Sequence, residues 1–172
     1  FHTAYPGIRG YHAWVRDRLG KGRTLENLFG RHRLFLDRWG DQLFKSAYAF
    51  IPQSTIADKI NTQGINHTYY NQDLFRPIDL LNQEHDAIIF QVNVKRWSWK
   101  RIAEALLLLK KSLEQPLTCR GLTFRIPANF EVGMTLFKRD MRKVDTNADT
   151  LVAGLARQLH DLYQQFRASI NI

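Results

Sequence analysis

The residues best suited to chemistry stand in one short stretch, Asn82-Gln83-Glu84-His85-Asp86, flanked by Ile78, Leu80 and Leu81 on one side and Ile88, Ile89, Phe90, Val92 and Val94 on the other. β-prone runs around a polar centre predict a β-hairpin over about 79–94 with its charged residues at the tip. Acidic side chains clustered there repel one another unless a cation neutralises them. A carboxylate fixed on strand ends suits Mg²⁺, a hard ion that takes oxygen ligands, and Asp86 is the candidate. Taken alone, the same dipeptide is equally an ordinary turn in which Asp86 bonds its own backbone. A second polar cluster, Arg31-His32-Arg33, reads as an exposed basic edge.

Several elements must position these residues. Ile8, Tyr11, Val15 and Leu19 lie at helical spacing after the turn signal Tyr5-Pro6-Gly7, and predict a helix over 7–20 closed by Gly20 and Gly22. Residues 24–29 alternate as a strand that ends at Gly30, and a hairpin through the basic cluster is expected. From Asp41 to about Tyr70 the apolar period is helical but interrupted by Pro52, which predicts two helical pieces or one kinked helix. Ser98 caps a helix that runs to about Glu114, with Ile102, Ala105, Leu106, Leu109 and Leu113 on one face and Pro116 as its stop. Residues 122–126 and 129–134 predict a strand pair or one bulged strand. An amphipathic helix is expected over 149–170, on Leu151, Leu155, Leu159, Leu162, Tyr163 and Phe166. This succession is an α+β architecture without repeats or low-complexity linkers.

A chain of 172 residues with 44% hydrophobic content, four Trp and eleven Phe is long enough for one well-cored domain. Lys and Arg number 25 against 16 Asp and Glu; the formal charge of +9 favours a polyanionic partner, with nucleic acid first. Cys119 is the single cysteine, which rules out an intrachain disulfide and a cysteine zinc cluster and fits a reducing, cytoplasmic setting. The longest apolar run, around 102–109, falls far short of the ~20 residues of a membrane span. No membrane partner is expected. Asn66-His67-Thr68 matches a glycosylation sequon by chance. The chain opens on Phe1 rather than Met, which suggests processing or truncation.

Three motifs in order bring the clusters together: Leu25-Glu26-Asn27-Leu28-Phe29-Gly30-Arg31-His32-Arg33, then Pro52-Gln53-Ser54-Thr55-Ile56-Ala57-Asp58, then Gln83-Glu84-His85-Asp86-Ala87-Ile88-Ile89-Phe90. Their order resembles the C-terminal region of family A DNA polymerases, similar to bacterial DNA polymerase I and phage replicases. The family's third palm motif, Gln-x-His-Asp, is matched by Gln83, His85 and Asp86. Its preceding helix is matched by Gln53, Ser54, Ala57 and Asp58. Tyr5-Pro6-Gly7-Ile8-Arg9 looks like the entry to the late fingers helices, and Phe130-Glu131-Val132-Gly133 like the last palm strand.

The resemblance implies a palm-like antiparallel sheet with a catalytic hairpin, and nucleotidyl transfer with two Mg²⁺ ions. Asp86 would be a metal-binding carboxylate. His85 and Gln53 would lie near the primer terminus and the minor groove, and Arg31 and Arg33 would contact backbone phosphates or form a plain solvated edge. Late fingers would occupy 1–78, the palm 79–145 and a C-terminal helix 146–172, the last packing on the core or binding a partner. Expected partners are primer-template DNA, dNTPs and an N-terminal polymerase portion carrying the other catalytic Asp and the triphosphate-binding cations. Ala87 stands where the family often has Glu. The alternative is a non-catalytic DNA-binding or scaffolding module that keeps the palm fold.

Overall fold

In the computed structural model, which describes residues 4–146 and 150–170, the chain divides into two compact units. One comprises Phe1–Lys59 with Leu117–Leu122, the other Ile60–Pro116 with Thr123–Ile172. The architecture is α+β, and each sheet among the described residues has two strands. No helix among them is long and apolar enough to cross a membrane.

The first unit begins with α1 (Gly7–Gly22), which buries Val15 and Leu19 and stops at Arg23, whose backbone enters the left-handed region (φ 53°) and donates its N–H to the Leu19 carbonyl. Strands β1 (Thr24–Glu26) and β2 (His32–Leu34) pair antiparallel, with Leu25 opposite Arg33. Gly30 supplies the positive φ (82°) that closes their turn. α2 (Asp41–Lys59) is one helix through Pro52. Proline cannot donate to the carbonyl four residues back, and here that acceptor, Tyr48 O, takes the Tyr11 hydroxyl at 2.9 Å instead. This replacement bond lets the helix run on. Val15, Leu19, Leu25, Phe35, Leu43, Phe44, Ala47 and Phe50 form the core of this unit.

In the second unit the chain opens as a π-helix (Ile60–Asn66) and continues through the short helices α3 (His67–Tyr70) and α4 (Gln72–Phe75). The expected helical stretch to Tyr70 is present with altered winding. β3 (Asp79–Glu84) and β4 (Ala87–Gln91) then form the expected hairpin, in register from Asp79↔Gln91 to Glu84↔Ala87 with a bulge between Leu80 and Asn82. The bulge leaves Leu81 unpaired and exposed. α5 (Trp99–Leu113) is capped by Ser98, whose hydroxyl accepts the Arg101 N–H, and its apolar face carries Ile102, Ala105, Leu106 and Leu109 into the core. α6 (Val152–Ile170) adds Leu155 and Leu159 to the same core, so the C-terminal helix is a packing element. Its expected start at Asp149 lies outside the described residues.

One expectation is corrected. The strands predicted at 122–126 and 129–134 do not pair with each other. β5 (Leu117–Cys119) leads through a left-handed turn at Arg120-Gly121 into β6 (Leu122–Phe124), whereas β7 (Phe130–Val132) pairs with β8 (Arg142–Val144), which the sequence pattern does not reveal. The reason lies between them. Ala128 donates its N–H to Glu114 at 2.8 Å and its carbonyl accepts from Lys110 Nζ at 2.5 Å, so this stretch is tied to the end of α5 and cannot serve as a hairpin turn.

Gly64 sets how closely the π-helix approaches the hairpin. A Cβ there meets Ile88 of β4 and Leu113 of α5. Gly64→Ala is therefore expected to overpack this contact and lower stability by about 1–2 kcal/mol, read as a fall in urea midpoint at constant m. An unchanged midpoint shows that Ile88 can yield at no cost.

Candidate functional site

At the tip of the β3–β4 hairpin, His85 and Asp86 form a two-residue turn. His85 takes φ 52°, the left-handed region that two-residue hairpin turns favour because it matches the twist of the strands. For a residue with a Cβ this conformation costs roughly 1–2 kcal/mol, which glycine would avoid. Both side chains are exposed, and Asp86 makes no hydrogen bond or ion pair among the described residues. The turn in which Asp86 bonds its own backbone is therefore not what forms. Gln83, on β3, is half-buried and donates its backbone N–H to the Asn82 side chain at 2.9 Å.

Among the described residues no group of three His, Cys, Asp or Glu side chains converges to hold a metal ion. Mg²⁺ needs about six oxygens around it, several of them water, and usually one or two carboxylates. Asp86, on the hairpin turn, is an exposed carboxylate of the kind such an ion takes.

The loop between β1 and β2, in the other unit, is organised by Asn27. Its Oδ1 accepts the backbone N–H groups of Phe29 (2.9 Å) and Arg31 (3.0 Å). Its Nδ2 donates to Asp58 Oδ2 (2.7 Å) and Ser54 Oγ (3.0 Å) on α2. Arg31 completes the arrangement with a two-pronged contact, Nε to Asp58 Oδ2 at 3.0 Å and Nη2 to Oδ1. Asp58 is almost fully buried. Burial alone would raise its carboxyl pKa, but the hydrogen bonds from Arg31 and Asn27 and the Arg31 charge outweigh that and hold it below the usual carboxylate value.

The two arginines expected at phosphates thus differ. Arg31 spends its planar fork on Asp58. Arg33 has its guanidinium 4.7 Å from the Phe35 ring centroid, beside Phe50, is exposed, and has no carboxylate partner among the described residues. Gln53 lies exposed on α2, next to Ser54. The joining of Asn27, Arg31, Ser54 and Asp58 into one network went unseen in the sequence, although Ser54 and Asp58 stand one helical turn apart in the second motif. That spacing was the available signal.

Charge is uneven between the units. The first holds eleven of the Lys and Arg residues against five Asp and Glu, so most of the net positive charge lies there. If Arg33 contacts a phosphate, Arg33→Gln is expected to weaken duplex binding at all sequences alike and to flatten the slope of log K against log[salt] by about 0.9. A salt titration by fluorescence anisotropy measures this, and an unchanged slope removes Arg33 from the contact.

Comparison of the chain with models of protein families, with curated proteins and with solved structures found no match, so its function is argued from these residues.

Proposed function

We propose that this chain is the C-terminal part of a family A, template-directed DNA polymerase, which adds dNTPs to a primer 3′ end together with an upstream or separate polymerase portion. One observation carries the proposal: an exposed Asp86 beside a His85 held at positive φ, on the turn of a hairpin whose sequence is Gln-x-His-Asp. Both side chains are exposed on this turn, where a ligand can reach them.

In this role Asp86 would supply an oxygen ligand to Mg²⁺, which when bound would activate the primer hydroxyl and hold the triphosphate. His85 and Gln53 serve as polar contacts to the primer terminus and to minor-groove acceptors, which occupy common positions in every base pair. Arg33 takes a backbone phosphate, and the Asn27–Asp58 network keeps its loop in place. The expected partners are primer-template DNA and dNTPs, met in the cytoplasm. These 172 residues, joined to or mixed with an upstream family A portion, are expected to extend a primed template in Mg²⁺. Failure of every such assembly to extend it, with duplex binding intact, overturns the proposal.

That outcome would favour the second reading, a non-catalytic DNA-binding module with a palm-like fold, for which Ala87 in place of the family's frequent Glu speaks. Such a module binds duplex in a salt-sensitive manner with no metal requirement.

A further inference from the structure

A cleft of about 470 Å³ opens in the second unit at the end of the hairpin opposite His85 and Asp86, where Asp79 and Leu80 start β3. Its volume lies within the roughly 300–1,000 Å³ usual for small-ligand sites. Two arginines line it. Arg96 has no carboxylate partner among the described residues, and its guanidinium lies 5.3 Å from the ring centroid of its neighbour Trp97. Both are held by Asn93, whose carbonyl accepts the Arg96 and Trp97 N–H groups at 3.1 Å. Arg76 bonds Asp73 at 2.7 Å, but both side chains of that pair are exposed, and such a pair is worth little against a phosphate.

The remaining lining adds shape and polarity. Trp97 and Tyr69 present aromatic surface, and Asp79 is an acceptor suited to a hydroxyl or amino group. Thr68 also lines the cleft; it is 3% exposed and its buried hydroxyl has no hydrogen-bond partner among the described residues. Paired cations, aromatic faces and neutral or acidic acceptors in one cleft match one class of ligand.

We infer that this cleft binds a nucleoside monophosphate unit, with the phosphate on Arg96 and Arg76, the base against Trp97 or Tyr69, and a sugar or base donor toward Asp79 and Thr68. The inference does not depend on polymerase activity. It uses no metal and no primer. A free nucleotide and one residue of a single-stranded DNA offer the same chemistry, so the test carries both.

The 172-residue chain is titrated with dAMP, with hexadeoxyadenylate, and with inorganic phosphate and deoxyadenosine separately, following tryptophan fluorescence with Trp97→Phe as the signal control, and calorimetry. Saturable binding on the order of 1 mM or tighter is expected for dAMP or the oligonucleotide, and at least about tenfold weaker binding for either half alone. Tighter binding of the oligonucleotide per site assigns the cleft to a DNA strand; equal binding assigns it to free nucleotide. Arg96→Gln is expected to cost at least about tenfold, as charged hydrogen bonds do, and Thr68→Val, which keeps the shape, a smaller factor. No saturable binding of either probe, or binding indifferent to both Arg96→Gln and Arg76→Gln, overturns the inference.

Discussion

Asp86→Ala is expected to reduce Mg²⁺-dependent primer extension by at least about 10³-fold, well beyond the 10–100-fold typical of losing a group that only supports a metal ligand. The expectation follows from position as much as from residue type. Asp86 is exposed, lies on a two-residue turn and contributes no hydrogen bond or ion pair among the described residues. Its removal therefore leaves folding within about 0.5 kcal/mol of the parent, as for other surface sites, so a lost activity cannot be put down to a lost fold. Rates are measured on the assembled polymerase at saturating dNTP, beside urea melts of the same variants. Asp86→Asn keeps one neutral oxygen and is expected to fall between the parent and Asp86→Ala, whereas Glu84→Ala, on the neighbouring strand end, should change the rate little. Extension by Asp86→Ala at the parent rate would remove Asp86 from the chemistry, and with it the main support for the catalytic proposal.

Local order was legible in the sequence wherever one strong signal acted alone. The hairpin around 79–94 followed from β-branched and aromatic runs on either side of a polar centre, and α5 from Ser98, an apolar stripe and Pro116. Local pattern did not decide the outcome where a distant group did. Pro52 lies inside one helix rather than between two because Tyr11, 37 residues before Tyr48, satisfies the orphaned Tyr48 carbonyl. Residues 122–134 do not fold on themselves because Lys110 and Glu114 capture Ala128. At the candidate site the residue types could be named in advance, but not their allegiance. Arg31 and Arg33 are indistinguishable as residue types two positions apart, one in the loop before β2 and one on it, and what separates them is a buried carboxylate that the fold brings from α2 to one and aromatic rings that it brings to the other.

That allegiance leads to the largest stability effect expected in the first unit. Arg31→Ala should cost about 3 kcal/mol, and more than Asp58→Ala, because the two changes strand different groups. Without Arg31, the buried carboxylate loses its two-pronged partner and keeps Asn27 among its donors; without Asp58, the guanidinium, already 54% exposed, turns to water. The pH dependence separates this account from simple loss of packing. In the parent the folded carboxyl lies below its unfolded value of about 3.9, so the stabilisation is complete above that pH and is lost as pH falls through the folded pKa. In Arg31→Ala burial still raises the folded pKa while the hydrogen bonds and charge of Arg31 no longer lower it, so the folded pKa moves up and the charge-dependent stabilisation of the parent is diminished. The gap in unfolding free energy between parent and Arg31→Ala should accordingly be widest near neutral pH and should narrow towards pH 3, in urea melts taken at both. A gap that stays constant over that range would mean that Arg31 acts through the packing of its stem and not through its charge.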